Sequence, residues 1–272
     1  MSKIKSFTRR ILPQRLWTQL RLLRIQSGIK LYQAKVVTHT YGDSRLRIHL
    51  ADPQAAGWYD HDWPELPELA LLKRGRLRTG ARVFDIGAHQ CVVALMLAKI
   101  VGTGGSVLAL EPNHHNVAVG GKNKELNGVE HLRIVRGAIA ENSGTIAMNR
   151  TLNAQVDDGS HEWGIIRVPS FSIDDLCRQY GAPDVLFIDV EGFECHALAG
   201  AVNTLKSSPD CFVEVHTGAG LEKFGTVREL LSFFPRERYS LFVRDESQAS
   251  FSEYIPGSRT PDQRFFLVAL HK

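Results

Sequence analysis

Acidic side chains recur along this 272-residue sequence, and each follows a short apolar run that reads as a β-strand. The set contains five carboxylates and one imidazole: Asp85, Glu111, Asp189, Glu191, Glu214 and His216. No Lys or Arg stands among these positions, so a phosphate would be repelled and a cationic ligand attracted. The same residue types can take up a proton or bind a divalent ion.

The first of these runs, VFDIGAHQC at residues 83–91, predicts a strand, a glycine turn and a helix. A dinucleotide-binding turn needs three glycines spaced G-x-G-x-x-G, whereas this turn has only Gly87 and carries Asp85. Glu111, at the end of the second run, is placed to accept hydrogen bonds from both hydroxyls of an adenosine ribose. A cationic adenosine ligand without phosphates describes S-adenosylmethionine, which is the predicted cofactor.

Predicted strands alternate with predicted helices from residue 82 onwards, which is typical of a parallel sheet covered on both faces. One strand–helix unit separates Asp85 from Glu111 and another separates Asp189 from Glu214, at 26 and 25 residues. In such a sheet the carboxyl ends of the strands form one edge, where ligands bind. The sequence therefore predicts a doubly wound, mostly parallel α/β fold with its site at that edge.

Three stretches depart from this alternation. The 51 residues from Ala138 to Asp189 predict an inserted hairpin or loop followed by a helix capped by Ser172. The last two strands, RYSLFVR and RFFLVAL, have no helix between them, so we expect them to pair antiparallel. The third predicted strand is LRIVRGAI, and the segment after Gly192 predicts a long helix.

The N-terminal residues differ from the rest in charge. Residues 1–42 contain nine Lys or Arg and no Asp or Glu, and the remaining chain has 24 basic and 29 acidic side chains. Apolar residues recur at helical spacing from Pro13 to Tyr32, followed by a hairpin around Gly42 and an aromatic loop that leads into a short helix. We divide the chain into an N-terminal extension, 1–78, and a catalytic domain, 79–272.

The basic helix can contact an anionic membrane surface through residues 1–35, or pack on its own domain or on a second copy. The composition and the four scattered cysteines are typical of a cytoplasmic protein whose thiols are reduced. If the basic helix binds lipid, the protein is expected to lie peripherally at the inner face of the membrane. No apolar run reaches the length of a membrane span. Basic residues interleaved with aromatics do not recur, so no nucleic-acid partner is expected.

The ordered motifs resemble those of the FkbM-type methyltransferases over residues 80–217. They are VFDIGAHQC, LALEPN, NKELNG, VRGAI, SIDDL and FIDVEGFECHALAGA…EVH. The resemblance implies the seven-stranded class I methyltransferase fold, S-adenosylmethionine as cofactor, and methylation of a hydroxyl on a sugar, glycolipid or natural product. It also implies that Asp85, Gly87 and Glu111 hold the cofactor and that Asp189 and Glu191 face the acceptor.

Two positions depart from the family pattern. The first turn of the family usually reads D-x-G-A-N-x-G, and here His89 and Cys91 replace the asparagine and the second glycine. We expect the Cys91 side chain to take space near the methionine part of the cofactor. Phe187 stands where a lysine is common. Alternatives are a degenerate fold that serves as a binding or membrane-associated subunit and, less favoured, an NAD(P)-dependent oxidoreductase.

The candidate catalytic residues are Asp189, Glu191 and His216, with His216 or Glu191 as the base that takes the acceptor's hydroxyl proton. Two alternatives are a buried hydrogen-bond network and a divalent ion held by Asp189, Glu214 and His216, although no metal is predicted. The candidate cofactor-binding residues are Asp85, Gly87, His89, Glu111, Pro112, Asn116, Ala138 and Asp189. Residues 150–165 together with Trp58, Tyr59 and Trp63 are the candidate lid over the acceptor.

Overall fold

A computed structural model describes residues 14–153, 155–159, 164–255 and 257–272. The N-terminal part comprises α1 (Gln14–Leu31), β1 (Lys35–Tyr41), β2 (Ser44–Leu50), α2 (Pro53–Tyr59) and α3 (Pro67–Leu72). The hairpin turns at Gly42, as predicted, where φ is 57°. The aromatic loop starts later than expected, because the Asp52 carboxylate accepts the Gln54 and Ala55 amides and so begins a helix that extends to Tyr59.

The next elements alternate as the sequence predicts: β3 (Arg82–Ile86), α4 (Val92–Val101), β4 (Ser106–Glu111), α5 (His114–Asn127) and β5 (Leu132–Arg136). The Asn113 side chain caps α5 by accepting two backbone amides, and α5 ends at Gly128, which is left-handed. The strand predicted over LRIVRGAI was wrong beyond Arg136. At Gly137 the chain turns closely past the Phe171 ring, where a Cβ would lie 2.5 Å from a ring carbon.

The inserted segment contains β6 (Ala138–Ile139), β7 (Gly144–Asn149), β8 (Ile165–Phe171) and α6 (Ile173–Tyr180). The three strands form a separate small sheet in the order β6-β8-β7, with β7 and β8 antiparallel. This is the hairpin and helix that the long interval predicts. The Ser172 hydroxyl accepts the Asp175 amide and caps α6, also as expected.

The C-terminal half contains β9 (Val185–Ile188), α7 (Glu194–Ala199), β10 (Asp210–Val215), α8 (Val227–Ser232), β11 (Tyr239–Asp245), β12 (Ser252–Glu253) and β13 (Phe265–His271). The helix predicted after Gly192 is much shorter than expected. It stops before Gly200, where a Cβ would lie 2.5 Å from the Ala140 carbonyl oxygen. Beyond Gly200, the Asp174 carboxylate accepts hydrogen bonds from the Asn203 and Thr204 amides, so this segment does not continue the helix.

The main sheet has the order β12-β11-β13-β10-β9-β3-β4-β5. The five strands from β10 to β5 are parallel, and β13 runs antiparallel to both β10 and β11. The doubly wound, mostly parallel fold is therefore confirmed, with seven strands as predicted. The two-residue β12 adds an eighth strand at one edge. Strand order reverses between β3 and β9, so ligands are expected where these two strands end.

Both faces of the sheet are buried, as their alternating side chains require. Val83 packs in one cluster with the hairpin residues Leu46 and Ile48, and its neighbour Phe84 packs in the cluster on the other face. The hairpin is thus part of one core with α4 and β3. Within the described ranges, no helix is both long and apolar enough to cross a membrane.

Candidate functional site

A cavity of about 610 Å³ opens at the carboxyl ends of β3, β4, β9 and β10. Gly87, Glu111, Asp189 and Glu214 all lie on its wall. Its volume is in the range of small-molecule and cofactor sites. The site is therefore at the predicted edge of the sheet.

Part of the wall comes from the expected lid residues, Trp58, Tyr59, Trp63 and Asn153. Ala154 and residues 160–163 of that segment lie outside the described part of the chain. The indole and phenol rings sit close together, with Tyr59 and Trp63 centroids 5.6 Å apart. These side chains give this part of the cavity wall an aromatic surface.

Gly87 allows two strand ends to approach each other. Its φ is 96°, and a Cβ at this position would lie 1.7 Å from the backbone oxygen of Asp189. The Gly87 and Ala88 amides donate to the Leu110 carbonyl at 2.9 and 3.0 Å. Only glycine fits here, and its position leaves the backbone bare against the cavity.

The Cys91 side chain was expected to take space near the methionine part of the cofactor, and this expectation was wrong for the cavity described here. Its side chain is fully buried and does not line the cavity. The thiol points toward α5, where a Cβ on Gly120 would lie 2.7 Å from Sγ. Replacing the family's glycine by Cys91 instead strains the backbone, because Cys91 has a left-handed φ of 64°.

Glu111 lies on the cavity wall and is held by three donors. Its carboxylate accepts the His89 amide at 2.9 Å, the Asn113 amide at 2.8 Å and the Asn116 side-chain amide at 3.2 Å. Burial raises the pKa of Glu111 to about 8, although these hydrogen bonds oppose the shift. A cationic ligand in the cavity would favour its charged form.

The structure divides the predicted cofactor-binding residues into two groups. Those on the cavity wall are Gly87, His89, Glu111, Pro112, Ala138 and Asp189. Asp85 and Asn116 lie behind the wall, at 2% and 0% exposure. Asn116 positions Glu111, as described above, whereas Oδ2 of Asp85 has no hydrogen-bond partner among the described residues. Burial raises the pKa of Asp85 to about 7.

His89 faces the cavity from the turn after β3. Its Nδ1 lies 2.8 Å from the Tyr59 hydroxyl, and its ring meets the Trp58 ring edge-on at 5.1 Å. Burial lowers the pKa of His89 to about 4, so the ring is neutral at physiological pH. This histidine joins the first turn to the aromatic lid.

The structure brings the candidate catalytic residues together. Nε2 of His216 lies 3.7 Å from Asp189, 3.6 Å from Glu191 and 3.7 Å from Glu214. On the other side of the ring, Nδ1 lies 2.7 Å from the carboxylate of Glu194, which is completely buried. His216 itself is 2% exposed and lies behind the cavity wall, whereas Asp189 and Glu191 form part of it.

The charges around His216 determine its protonation. Burial lowers the pKa of His216, but the hydrogen bond and charge of Glu194, with Asp189 and Glu191, outweigh burial and raise it to about 9. Desolvation and repulsion from Glu214 raise the pKa of Asp189 above its usual range. The unliganded site is thus a cluster of carboxylates around one imidazolium.

Glu191 sits in a strained turn at the mouth of this cluster. Its φ is 53°, which is unusual for a side chain of this size, and Gly192 follows at 102°. The two oxygens accept from the side-chain amides of Asn153, at 3.0 Å, and Gln155, at 3.3 Å. The inserted hairpin therefore sets the direction of the Glu191 carboxylate.

Sequence reasoning missed two charged residues at the site. Glu194 belongs to the quoted FIDVEGFE motif, and its place at the start of α7 next to β10 could have suggested contact with His216. Arg264 forms an ion pair with Glu214, with Nη1 and Oε1 2.8 Å apart, and lies on the cavity wall. It could have been found because the predicted antiparallel β13 begins at the edge where the parallel strands end.

Phe187 replaces the lysine that is common in the family, and it lies on the cavity wall. Its ring stacks on Phe212 of the neighbouring strand with centroids 4.2 Å apart. Phe212 in turn stacks on Phe266 at 6.1 Å. The cavity wall therefore has an apolar aromatic part beside the carboxylates of Asp189 and Glu214.

Comparison with known proteins identifies the domain. Residues 85–241, more than half of the chain, match the methyltransferase FkbM domain. No curated protein matches the sequence.

Three solved methyltransferase structures are similar at low identity. An FkbM methyltransferase from Methylobacillus flagellatus KT has 16% identity and a TM-score of 0.47, over 70% of this chain and 43% of that one. A SAM-dependent methyltransferase from Aquifex aeolicus has 16% identity and a TM-score of 0.42, over 80% and 93%. A SAM-dependent O-methyltransferase from Thermotoga maritima has 12% identity and a TM-score of 0.45, over 87% and 77%.

The chain thus spans less than half the length of the Methylobacillus protein that it matches. The family match begins at Asp85 and ends in β11, so it contains the ends of all five parallel strands. It covers the acidic cluster and the first turn alike. The chain belongs to the FkbM methyltransferase family.

Proposed function

We propose that the protein is an S-adenosylmethionine-dependent methyltransferase that methylates a hydroxyl oxygen of a sugar, glycolipid or natural product. The observation that carries the proposal is the acid-walled cavity of about 610 Å³, which joins Glu111 to Asp189 and Glu191. Its residues fit the cofactor. Glu111 can accept ribose hydroxyls, the bare backbone at Gly87 admits close approach, and the carboxylates attract a sulfonium and an ammonium.

The bound cofactor would supply an electrophilic methyl group, and the protein would supply orientation and a proton acceptor. The acceptor's oxygen gains the methyl group, so its proton has to leave. Glu191 reaches the cavity and is oriented by Asn153 and Gln155. His216 is buried behind the wall, so among the candidate bases Glu191 is the better placed to take that proton, with Asp189 beside it.

The lining of the acceptor end supports a polyhydroxylated acceptor with an apolar face. Trp58 and Trp63 offer flat surfaces on which the C–H groups of a ring can pack, and Glu214 and Arg264 offer hydrogen bonds. The FkbM family membership supports methyl transfer itself. The position of the transferred methyl group stays a prediction.

A transfer assay tests the proposal. Incubating the protein with methyl-labelled S-adenosylmethionine and a panel of sugars, glycolipids and phenols should give labelled product and S-adenosylhomocysteine, with the label on oxygen by mass spectrometry and NMR. Replacing the proposed base in Glu191→Gln should lower kcat about 10²- to 10⁴-fold. The exposed Glu237→Gln is the matched control and should keep wild-type kcat.

Label on nitrogen or carbon would contradict the O-methylation. An unchanged kcat in Glu191→Gln would remove Glu191 as base. If no hydroxylated acceptor is methylated although the cofactor binds, the binding-subunit alternative replaces the proposal.

A further inference from the structure

The Nε2 atom of His216 has an unusual environment. Three carboxylates converge on it, those of Asp189, Glu191 and Glu214, at 3.6–3.7 Å. A charge-assisted hydrogen bond would be about 2.7–2.9 Å long, so none of the three carboxylates forms one. His216 is buried, at 2% exposure.

Two other histidines of this chain pair with carboxylates at ordinary hydrogen-bond distances. Nε2 of His115 lies 3.0 Å from Asp52, and Nε2 of His39 lies 3.1 Å from Asp60. At His216 the corresponding nitrogen stays short of contact although it has more carboxylates to choose from. Oδ1 of Asp189 is also buried without a hydrogen-bond partner among the described residues. Because these hydrogen bonds are not formed, a small ligand can bind between Nε2 of His216 and the carboxylates.

The opposite side of the His216 ring is firmly held. Nδ1 lies 2.7 Å from Glu194, whose oxygen also accepts the Gly192 amide at 2.8 Å. A cation that binds at Nε2 would displace the proton which the unliganded imidazolium carries there. Because Nδ1 donates to the buried Glu194 carboxylate, the Nε2 lone pair would then point in a fixed direction. This is the arrangement by which carboxylates orient metal-binding histidines.

The donor spacing suits a small cation. One atom each from Asp189, Glu214 and His216 lies within 4.8 Å of the other two. Ligands about 2.0–2.2 Å from a common ion are separated by roughly 3.0–3.6 Å, which is close to the 3.7 Å distances from Nε2 to Asp189 and Glu214. The full spread of up to 4.8 Å would have to contract when the ion binds. We propose that Asp189, Glu214 and His216 bind a divalent first-row metal cation, with Glu194 positioning the histidine.

The donor set determines which cations fit. Two carboxylates and one imidazole suit Mn²⁺, Fe²⁺ or Zn²⁺ better than Mg²⁺ or Ca²⁺, which prefer oxygen alone. Oxygen atoms of molecules bound in the cavity would supply the remaining ligands, so Glu191 stays available as the proposed base. Cation binding does not depend on the proposed function, but its role does: a cation there would lower the pKa of an acceptor hydroxyl bound beside Glu191.

Electron paramagnetic resonance with Mn²⁺ tests the proposal on the full, metal-stripped chain without any adenosyl ligand. We expect one bound Mn²⁺ per chain whose spin-echo modulation shows a coupled imidazole ¹⁴N. His216→Gln should remove that nitrogen signal, Asp189→Asn should weaken binding at least tenfold, and Glu194→Gln should weaken it about 10–100-fold. His39→Gln is the matched control, since His39 also lies between two carboxylates, and it should keep both affinity and signal.

Absence of bound Mn²⁺ or Zn²⁺ at millimolar concentration would overturn the proposal, as would Mn²⁺ without ¹⁴N coupling in the wild-type protein. An unchanged nitrogen signal in a folded His216→Gln would do the same. If that variant does not fold by circular dichroism, the wild-type ¹⁴N signal and its loss of intensity in Glu214→Gln decide the matter. None of these outcomes depends on methyl transfer, so the two proposals fail separately.

Discussion

At the residue scale, two positions of the turn after β3 place different demands on the side chain. Gly87 has a φ of 96° and faces the Asp189 carbonyl, whereas Cys91 has a φ of 64° and directs its thiol into the core. A left-handed conformation costs an ordinary residue about 1 kcal/mol or more. Steric contact therefore requires glycine at position 87. At position 91 the packing of the thiol comes with a strained backbone conformation.

Gly87→Ala should lower the free energy of unfolding by at least about 2 kcal/mol, because its Cβ would have to displace backbone. Cys91→Gly should change it by less than about 1 kcal/mol, since relief of the backbone offsets the lost thiol packing. Urea denaturation measures both, and calorimetry should find cofactor affinity unchanged in Cys91→Gly. A Cys91→Gly loss as large as that of Gly87→Ala would show that the thiol is structurally essential.

Glu111 predicts a pH dependence of stability. Burial raises its pKa from 4.5 to about 8, so the unfolded chain loses this proton at lower pH than the folded protein. Its contribution to stability is fully present below pH 4.5 and is lost as pH rises toward 8, by an amount on the order of a few kcal/mol. Asp85, with a pKa of about 7, acts in the same direction.

We therefore expect the free energy of unfolding of the unliganded protein to fall between pH 5 and pH 8.5, and to fall less in Glu111→Gln. Urea titrations across this range measure it, with the exposed Glu125→Gln as the control that keeps the wild-type slope. Parallel slopes for wild-type and Glu111→Gln would mean that Glu111 stays ionised in the fold.

At the element scale, α1 has two different faces. Thr18 and Leu22 lie beside Gly164 of the inserted hairpin. On the other side Leu16, Leu20 and Leu23 are 46%, 47% and 56% exposed, at helical spacing. One of the alternatives from the sequence was that the helix packs on its own domain. This describes only the face with Thr18 and Leu22. Membrane contact through residues 1–35 stays a prediction, and residues 1–13 lie outside the described chain.

The exposed leucines and the acid-free basic sequence around them predict binding to anionic lipid. The full chain should sediment with phosphatidylserine vesicles, less so in high salt and not with neutral phosphatidylcholine vesicles. Replacing Leu16, Leu20 and Leu23 by serine should abolish sedimentation. Val202→Ser is the control, because Val202 is equally exposed elsewhere. Equal sedimentation of wild-type and triple variant would exclude these leucines as the contact.

Elements that depend on local patterns were predictable, and those that depend on distant contacts were not. The strand ends at Asp85 and Glu111 followed from apolar runs and their spacing. The end of α7 could not be predicted, since it is set by the approach of Gly200 to the Ala140 carbonyl. The exit of β6 from the main sheet likewise depends on Phe171, more than 30 residues after Gly137.

At the scale of the whole molecule, the parallel sheet places the acidic residues at one edge, and this part of the site was predicted from the sequence. The sequence did not show that the positive charge of Arg264 pairs with Glu214, because Arg264 directly precedes the antiparallel strand β13. Nor did it show that Asp85 lies behind the cavity wall, since burial depends on how the turn packs.

The hairpin also links the two predicted domains. Leu46 and Ile48 pack in one cluster with Val83 and Leu95, so the extension contributes to the core that supports the site. The division at residue 78 stays a prediction from the sequence, as does packing of the basic helix on a second copy in a homodimer. The cavity and the extension share one hydrophobic core.

The most direct test of the central claim is calorimetric titration of the protein with S-adenosylmethionine, S-adenosylhomocysteine and NADH. The account predicts that both adenosyl compounds bind with a Kd on the order of micromolar, that Glu111→Gln weakens binding at least tenfold, and that Glu125→Gln does not. NADH should not bind, because the turn after β3 has the single Gly87 instead of the G-x-G-x-x-G spacing and the carboxylates of Glu111, Asp189 and Glu191 line the cavity where a pyrophosphate would have to lie. Binding of NADH, or of neither adenosyl compound, would contradict the account.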